Sequence, residues 1–141
     1  MSEQTKAIVR RYIEEVINHN QASVMEELFD TGYINHTPMG DMRGPEGMKA
    51  FIARTRAMLP DVRATVEDMF TEGDRVAVRL TLHGTYAGEV MGIAYDGKRV
   101  TLPEIQVYRI ANGKIVERWY IADRLGLWQQ LGAIPSSPPT R

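Results

Sequence analysis

The sequence of 141 residues contains no cysteine. Disulfides, thiolate nucleophiles, thiolate zinc sites and iron–sulfur clusters are excluded with it. Neither sign of charge is in excess. Seventeen basic residues stand against 18 acidic ones, for a formal net charge of −1. Such a balance exerts no long-range pull on nucleic acid or on an anionic membrane, and the basic residues are scattered rather than gathered into a groove. No apolar run approaches the roughly 20 residues of a membrane-spanning helix. The first dozen residues are polar and charged and lack the apolar core of a signal segment, so the expected location is cytoplasmic. Glycine-rich phosphate loops and a Gly-x-Ser-x-Gly elbow are also missing. The three histidines, His19, His36 and His83, lie far apart in sequence and show no metal-ligand spacing. No metal or cofactor is expected.

What is present is an ordinary globular composition, 43% hydrophobic and 25% charged, at a length that suits one core. Residues 1–134 read as a single domain and 135–141 as a loose Pro/Ser-rich tail. Residues 3–19 predict a helix, because Ile8, Tyr12, Val16 and Val9, Ile13, Ile17 recur four apart and form one broad apolar stripe. Asn20, with Ser23 and Glu26 in a capping-box pattern, predicts a second short helix that ends at Asp30-Thr31-Gly32. Tyr33-Ile34-Asn35-His36 reads as a short extended segment, followed by a loop. Gly44-Pro45-Glu46 opens a third helix, with proline where its missing N–H costs little, and Pro60 stops it.

From Val62 the period falls to two. Val62, Ala64 and Val66 alternate with Arg63, Thr65 and Glu67. Val76, Val78, Leu80 and Leu82 alternate with polar neighbours. Strands over 100–110 and 115–121 follow. Glu72-Gly73-Asp74, Asp96-Gly97 and Asn112-Gly113 mark hairpin turns. Asp123 opens a last short helix bearing Leu125, Leu127, Trp128 and Leu131. Helices first and hairpin-linked strands second predict an α+β fold, with the helices packed on one face of an antiparallel sheet.

The residues suited to chemistry form a proton-transfer set. Asp123 stands where the last strand becomes a helix. It is either a helix N-cap or a partly desolvated carboxylate beside Trp119 and Ile121, its pKa raised towards the range useful for acid/base work. His36 is either a hydrogen-bonded loop residue or, if its strand face turns inward, a pocket donor or proton relay. On the strand from Val100, Leu102, Glu104, Gln106, Tyr108 and Ile110 share one face. Two large polar groups in an apolar row are costly unless they serve a pocket; on an outward face they are merely solvated. Periodicity does not say which face is in. Eight methionines, with Tyr12 and Phe51, offer flexible apolar wall material.

Taken in order, several segments resemble the SnoaL-like polyketide cyclase family of the nuclear-transport-factor-2-like superfamily. They are Tyr33-Ile34-Asn35-His36-Thr37-Pro38, Gly44-Pro45-Glu46-Gly47 with Phe51, Gly84-Thr85-Tyr86-Ala87-Gly88, the run from Asn112 to Trp119, and the run from Ala122 to Gly132. The resemblance covers the chain from about Lys6 to Gly132. It implies a cone, in which a strongly bent sheet is closed by three N-terminal helices around an apolar pocket, with a short C-terminal helix. It implies a homodimer or higher homo-oligomer across the outer sheet face. It also implies intramolecular aldol closure of a polyketide ester without metal or cofactor. By the same resemblance Asp123 is the acid/base and His36 lines the cavity. Members with known cyclase activity also carry a histidine on the strand that here holds Glu104, Gln106 and Tyr108, and many have histidine where Arg118 and Tyr86 stand.

The expected function is therefore acid/base chemistry on a hydrophobic carbonyl compound, by proton abstraction and aldol-type or isomerase steps. Asp123 and His36 are the expected catalytic pair, and Tyr12, Asn35, Phe51, Glu104, Gln106, Tyr108 and Trp119 the expected substrate contacts. The alternatives are a hydrolase using activated water and a non-catalytic small-molecule binder. The partner is a hydrophobic small molecule, with neither nucleic acid nor membrane involved.

Overall fold

A computed structural model of the chain describes residues 2–135. Most of the tail expected at 135–141 lies outside the described residues. The apolar stripe of the first helix is realised as α1 (Ser2–Arg11) and a wider π-helical continuation, Tyr12–Asn18. Together they bury Val9, Tyr12, Ile13, Val16 and Ile17. The second helix is shorter than its pattern suggests. A single 3-10 turn, Ala22–Val24, leads into α2 (Met25–Leu28), and neither carries a side-chain cap. The Ser23/Glu26 capping box is not formed. Asp30-Thr31-Gly32 does not end that helix but belongs to the following strand, β1 (Phe29–Thr37). A hairpin partner, β2 (Gly40–Arg43), occupies what reads as loop, and α3 (Gly44–Met58) follows with Pro45 in its first turn.

The remaining strands are β3 (Arg63–Glu72), β4 (Arg75–Thr85), a two-stranded hairpin β5 (Glu89–Val90) and β6 (Ile93–Ala94), then β7 (Arg99–Ala111) and β8 (Lys114–Ala122). Helix α4 (Arg124–Leu131) closes the described chain. The main sheet runs β2-β1-β8-β7-β4-β3. Its pairings are antiparallel except one: β1 lies parallel to β8.

Besides an irregular stretch of β1 between Phe29 and Ile34, two one-residue bulges bend this sheet. Val66 pairs with Leu80 but Asp68 with Arg79, so Glu67 is the extra residue. On β8, Ile115 pairs with Ile110 but Glu117 with Arg109, so Val116 is extra. Each bulge shifts the register by one, which exchanges inward and outward faces beyond it. The inner face carries Val76, Val78, Leu80 and Leu82 of β4 with Val100, Leu102, Glu104, Gln106, Tyr108 and Ile110 of β7, all buried. On this face the core sits beneath α1, its π-helical continuation and α3. Met25 and Met48 are fully buried in it, whereas Met91 is exposed in the β5–β6 turn and lines no wall. Among the described residues no helix is long and apolar enough to cross a membrane.

Candidate functional site

Strand alternation decides which expected residues meet. Asn35 points inward from β1 and is fully buried; its neighbour His36 therefore points outward. The bulge at Val116 does the same on β8. It turns Arg118 and Tyr120 inward and leaves Trp119 and Ile121 outside. A straight Ile115/Glu117/Trp119/Ile121 alternation would have put Trp119 in the pocket. The expectation that Trp119 and His36 line the enclosed cavity is corrected on these grounds.

The inner face holds a continuous polar chain. Arg118 Nε donates to the Tyr108 hydroxyl at 3.3 Å, Tyr108 donates to Gln106 Oε1, and Gln106 Nε2 donates to Glu104 Oε1 at 2.8 Å. Arg118 Nη1 also donates to Asn35 Oδ1 at 2.9 Å. Every member is buried. The guanidinium lies over the rings of Tyr120 at 4.8 Å, Phe51 at 5.1 Å and Tyr108 at 5.7 Å, in favourable cation–π range. Tyr12 closes the group from the helix side, its ring 6.0 Å from that of Tyr108. Burial pushes the Glu104 carboxyl above its ordinary value, while the charge of Arg118 and the Gln106 hydrogen bond pull it part of the way back. Burial likewise raises the phenols of Tyr12 and Tyr108.

Glu104 is 6% exposed, and that remnant faces a cavity. A mouth of about 160 Å³ is lined by Met39, Phe51, Met58, Leu82, Leu102, Tyr120 and Glu104, with Arg54 and Arg124 at its sides. Behind Phe51 lies a niche of about 10 Å³ among Tyr12, Phe51, Leu80, Glu104, Gln106 and Arg118. Glu104 borders both spaces. The enclosed site thus joins Tyr12, Phe51, Glu104, Gln106 and Tyr108, with Asn35 behind them. It adds Arg118, which the sequence marks only as a departure from the family's histidine and not as a site residue. Nothing in the local pattern reveals Arg118, because its inward orientation depends on the bulge two residues earlier.

Asp123 takes the other of its two readings. Its carboxylate accepts from the backbone N–H of Gly126 at 2.8 Å and caps α4, and its side chain is exposed. It borders a different depression of about 930 Å³, mostly on the outer sheet face, with His36, Arg79, Ile105, Val107, Trp119 and Ile121, and with Glu104 and Tyr120 also at its wall. There His36 bridges two carboxylates, Nδ1 to Asp41 at 2.9 Å and Nε2 to Glu117 at 2.7 Å. It stacks on Trp119 with centroids 5.3 Å apart, and Arg75 lies near the Trp119 ring at 4.9 Å. Glu117 is also paired with Arg109 at 3.0 Å. The Glu117 hydrogen bond raises the His36 pKa, and Asp41 adds to the effect.

The curved α+β fold is shared with solved SnoaL-like structures, and a family model identifies the chain. Residues 7–131 match the SnoaL-like polyketide cyclase family, to which the chain belongs, and it is a cyclase-type enzyme. A similar curated protein is the aklanonic acid methyl ester cyclase DnrD of Streptomyces peucetius, 29% identical over 130 residues that cover 89% of this chain and 88% of that one. Among solved structures, wild-type IdmH from Streptomyces antibioticus is similar at TM-score 0.82 and 30% identity, covering 92% of this chain and 99% of IdmH. TsrD from Streptomyces laurentii is similar at TM-score 0.81 and 28% identity, covering 94% and 97%.

Proposed function

We propose that the chain catalyses an aldol-type ring closure of a hydrophobic carbonyl compound in the enclosed pocket, with Glu104 as the acid/base and no cofactor. The observation that carries this reading is a buried carboxyl of raised pKa that borders an apolar cavity and ends a hydrogen-bonded chain. Glu104 takes a proton from the carbon alpha to a carbonyl. The resulting enolate carbon attacks a second carbonyl of the same molecule, and a carbon–carbon bond forms. The alkoxide so produced recovers the proton from Glu104. Protons and electrons balance within the one substrate, as a cyclisation requires. The similarity to named aklanonic acid methyl ester cyclases supports this reaction class.

The mouth is smaller than the roughly 300 Å³ at which drug-sized pockets begin. Met39 and Met58 stand at its edge, and unbranched thioethers move readily. The reacting end of a larger molecule enters when they swing aside, and its body rests outside. Glu104→Gln tests the assignment. Turnover of a confirmed substrate is expected to fall by about 10²–10⁴-fold, and undiminished turnover in a folded variant would show Glu104 to be no base. Product labelled from heavy-oxygen water would instead favour a hydrolase, and binding without turnover a non-catalytic binder.

A second reading uses the outer depression, because Asp123 and His36 both border it. It places the acid/base at Asp123, as the family resemblance implies. The substitution Asp123→Asn, which retains a cap, discriminates: the inner-pocket reading expects near-normal turnover and the outer reading a large loss.

We also propose that the outer face pairs with a second copy of the chain. Ile105, Ile121 and Phe70 are each more than half exposed there. The charges around them are already matched in pairs, Arg79 with Asp68 and Arg109 with Glu117. Two such faces meet without like-charge conflict. A homodimer in the cytoplasm is the form this reading assigns.

A further inference from the structure

Arg118 is a buried cation with no carboxylate in direct contact; Glu104, at the far end of the hydrogen-bonded chain, is its nearest charge partner. Arg118 is 1% exposed, its hydrogen bonds go to a phenol and an amide, and none of the ion pairs among the described residues includes it. A desolvated charge in that condition is among the costliest arrangements in a protein interior. Beside it, Asn35 spends its Oδ1 on the guanidinium and leaves a buried Nδ2 with no partner. One donor thus lacks an acceptor, and beside it stands a cation with no anion in contact. The niche that Arg118 borders has a volume of about 10 Å³, the space of one oxygen atom or one water.

We propose that Arg118 is a further catalytic residue: it holds the single enolate oxygen of the substrate in the niche behind Phe51. This rests on the reading of Glu104 as the base and deepens it. When Glu104 takes the alpha proton, its negative charge passes to the substrate oxygen. Arg118 remains the counter-charge before and after the step, so the site's net charge does not change while the charge moves. The interposed Gln106 and Tyr108 then have a purpose. A direct Arg118–Glu104 ion pair would hold the carboxyl low and weaken the base. Two neutral links keep the charges apart and still polarise one another in series. Preorganised positive charge facing the developing oxyanion in a dry site is the strongest stabilisation an enzyme offers such a step. Arg54 and Arg124 at the mouth add attraction of the same sign.

The test uses acetylacetone, a compact diketone whose enolate has its own ultraviolet absorbance. Titrated against pH with the full chain, the enolate band is expected to appear at least one pH unit lower than for free acetylacetone. Arg118→Gln is expected to abolish that shift and Arg118→Lys to retain part of it, each variant first checked for folding by circular dichroism. If Arg118→Gln does not fold, the wild-type shift and the lysine variant decide. An unshifted band, or competition by acetate as effective as that by the diketone, overturns the proposal. Alpha-proton exchange into heavy water is measured alongside. Exchange that depends on Glu104 without any band shift would overturn the role of Arg118 alone; neither exchange nor shift would overturn both readings.

Discussion

Glu104 and His36 both have raised pKa values, and for opposite physical reasons. Glu104 is raised chiefly by burial, which penalises its charged form. His36 is raised by two carboxylates, which reward its charged form. The first has a kinetic consequence. The log of kcat/KM is expected to rise with pH through a carboxyl pKa above the ordinary 4.5, and in Glu104→Gln this limb should be absent from whatever activity remains. The second is a matter of stability. A raised folded-state pKa on His36 stabilises the fold fully below the ordinary 6.5 and loses that contribution as pH rises through the folded value. Its partner Glu117 has a lowered pKa, so its contribution is present above the ordinary 4.5 and lost as pH falls through the folded value. The cluster therefore works best between about 4.5 and 6.5. Thermal melts of the wild type and of His36→Gln should differ most in that window and converge at higher pH. A constant difference would mean that the ring contributes by stacking on Trp119 alone.

At the scale of elements, α4 depends on a single capping contact. The N–H of Gly126 is satisfied by the Asp123 carboxylate, and Gly132 in the left-handed region, φ 82°, ends the helix. Asp123→Ala should cost about 0.5–2 kcal/mol in denaturant melts and Asp123→Asn far less. A side chain added at Gly126 would overlap the same carboxylate, so Gly126→Ala should destabilise as Asp123→Ala does, although alanine favours helix. The elements were largely legible in the sequence. The stripe of Ile8, Tyr12 and Val16, the Pro45 start and the Asn112-Gly113 turn each carry a local physical cause. The site was legible only in part. Period-two patterning on β7 gathers Glu104, Gln106 and Tyr108 correctly, but two faces alternate equally well and only tertiary packing selects one. Asn35 and His36 are adjacent in a strand, and the pleat forbids both from entering one pocket. Arg118 was hidden for another reason. A bulge of one residue at Val116 reverses the face of everything after it, and no residue type in Ile115-Val116-Glu117 announces it.

At the scale of the whole molecule, inner and outer faces of one sheet are assigned different work. The inner face carries the proposed chemistry and the outer face the proposed contact with a second copy. The two are separable by mutation. Ile121 is 70% exposed and Ile105 59%; replacing both by lysine should cost the fold little and should yield a monomer by sedimentation. If the chain sediments as a monomer without any substitution, the paired form is wrong, and the inner pocket is untouched by that result.

The parallel pairing of β1 with β8 has a consequence in time. Residues 29–37 leave the ribosome early, yet the strand they lie against is at 114–122. Contacts between such distant parts of a chain form late, because the intervening loop must first be closed. During synthesis α1 can pack on β3 and β4 and β1 on α3, but the edge of β1 that pairs with β8 waits, open, for nearly the whole chain to be made. The cone is completed by its last strand, so a polypeptide truncated before residue 114 has no means of shutting the cavity and exposes the apolar surface of the proposed pocket.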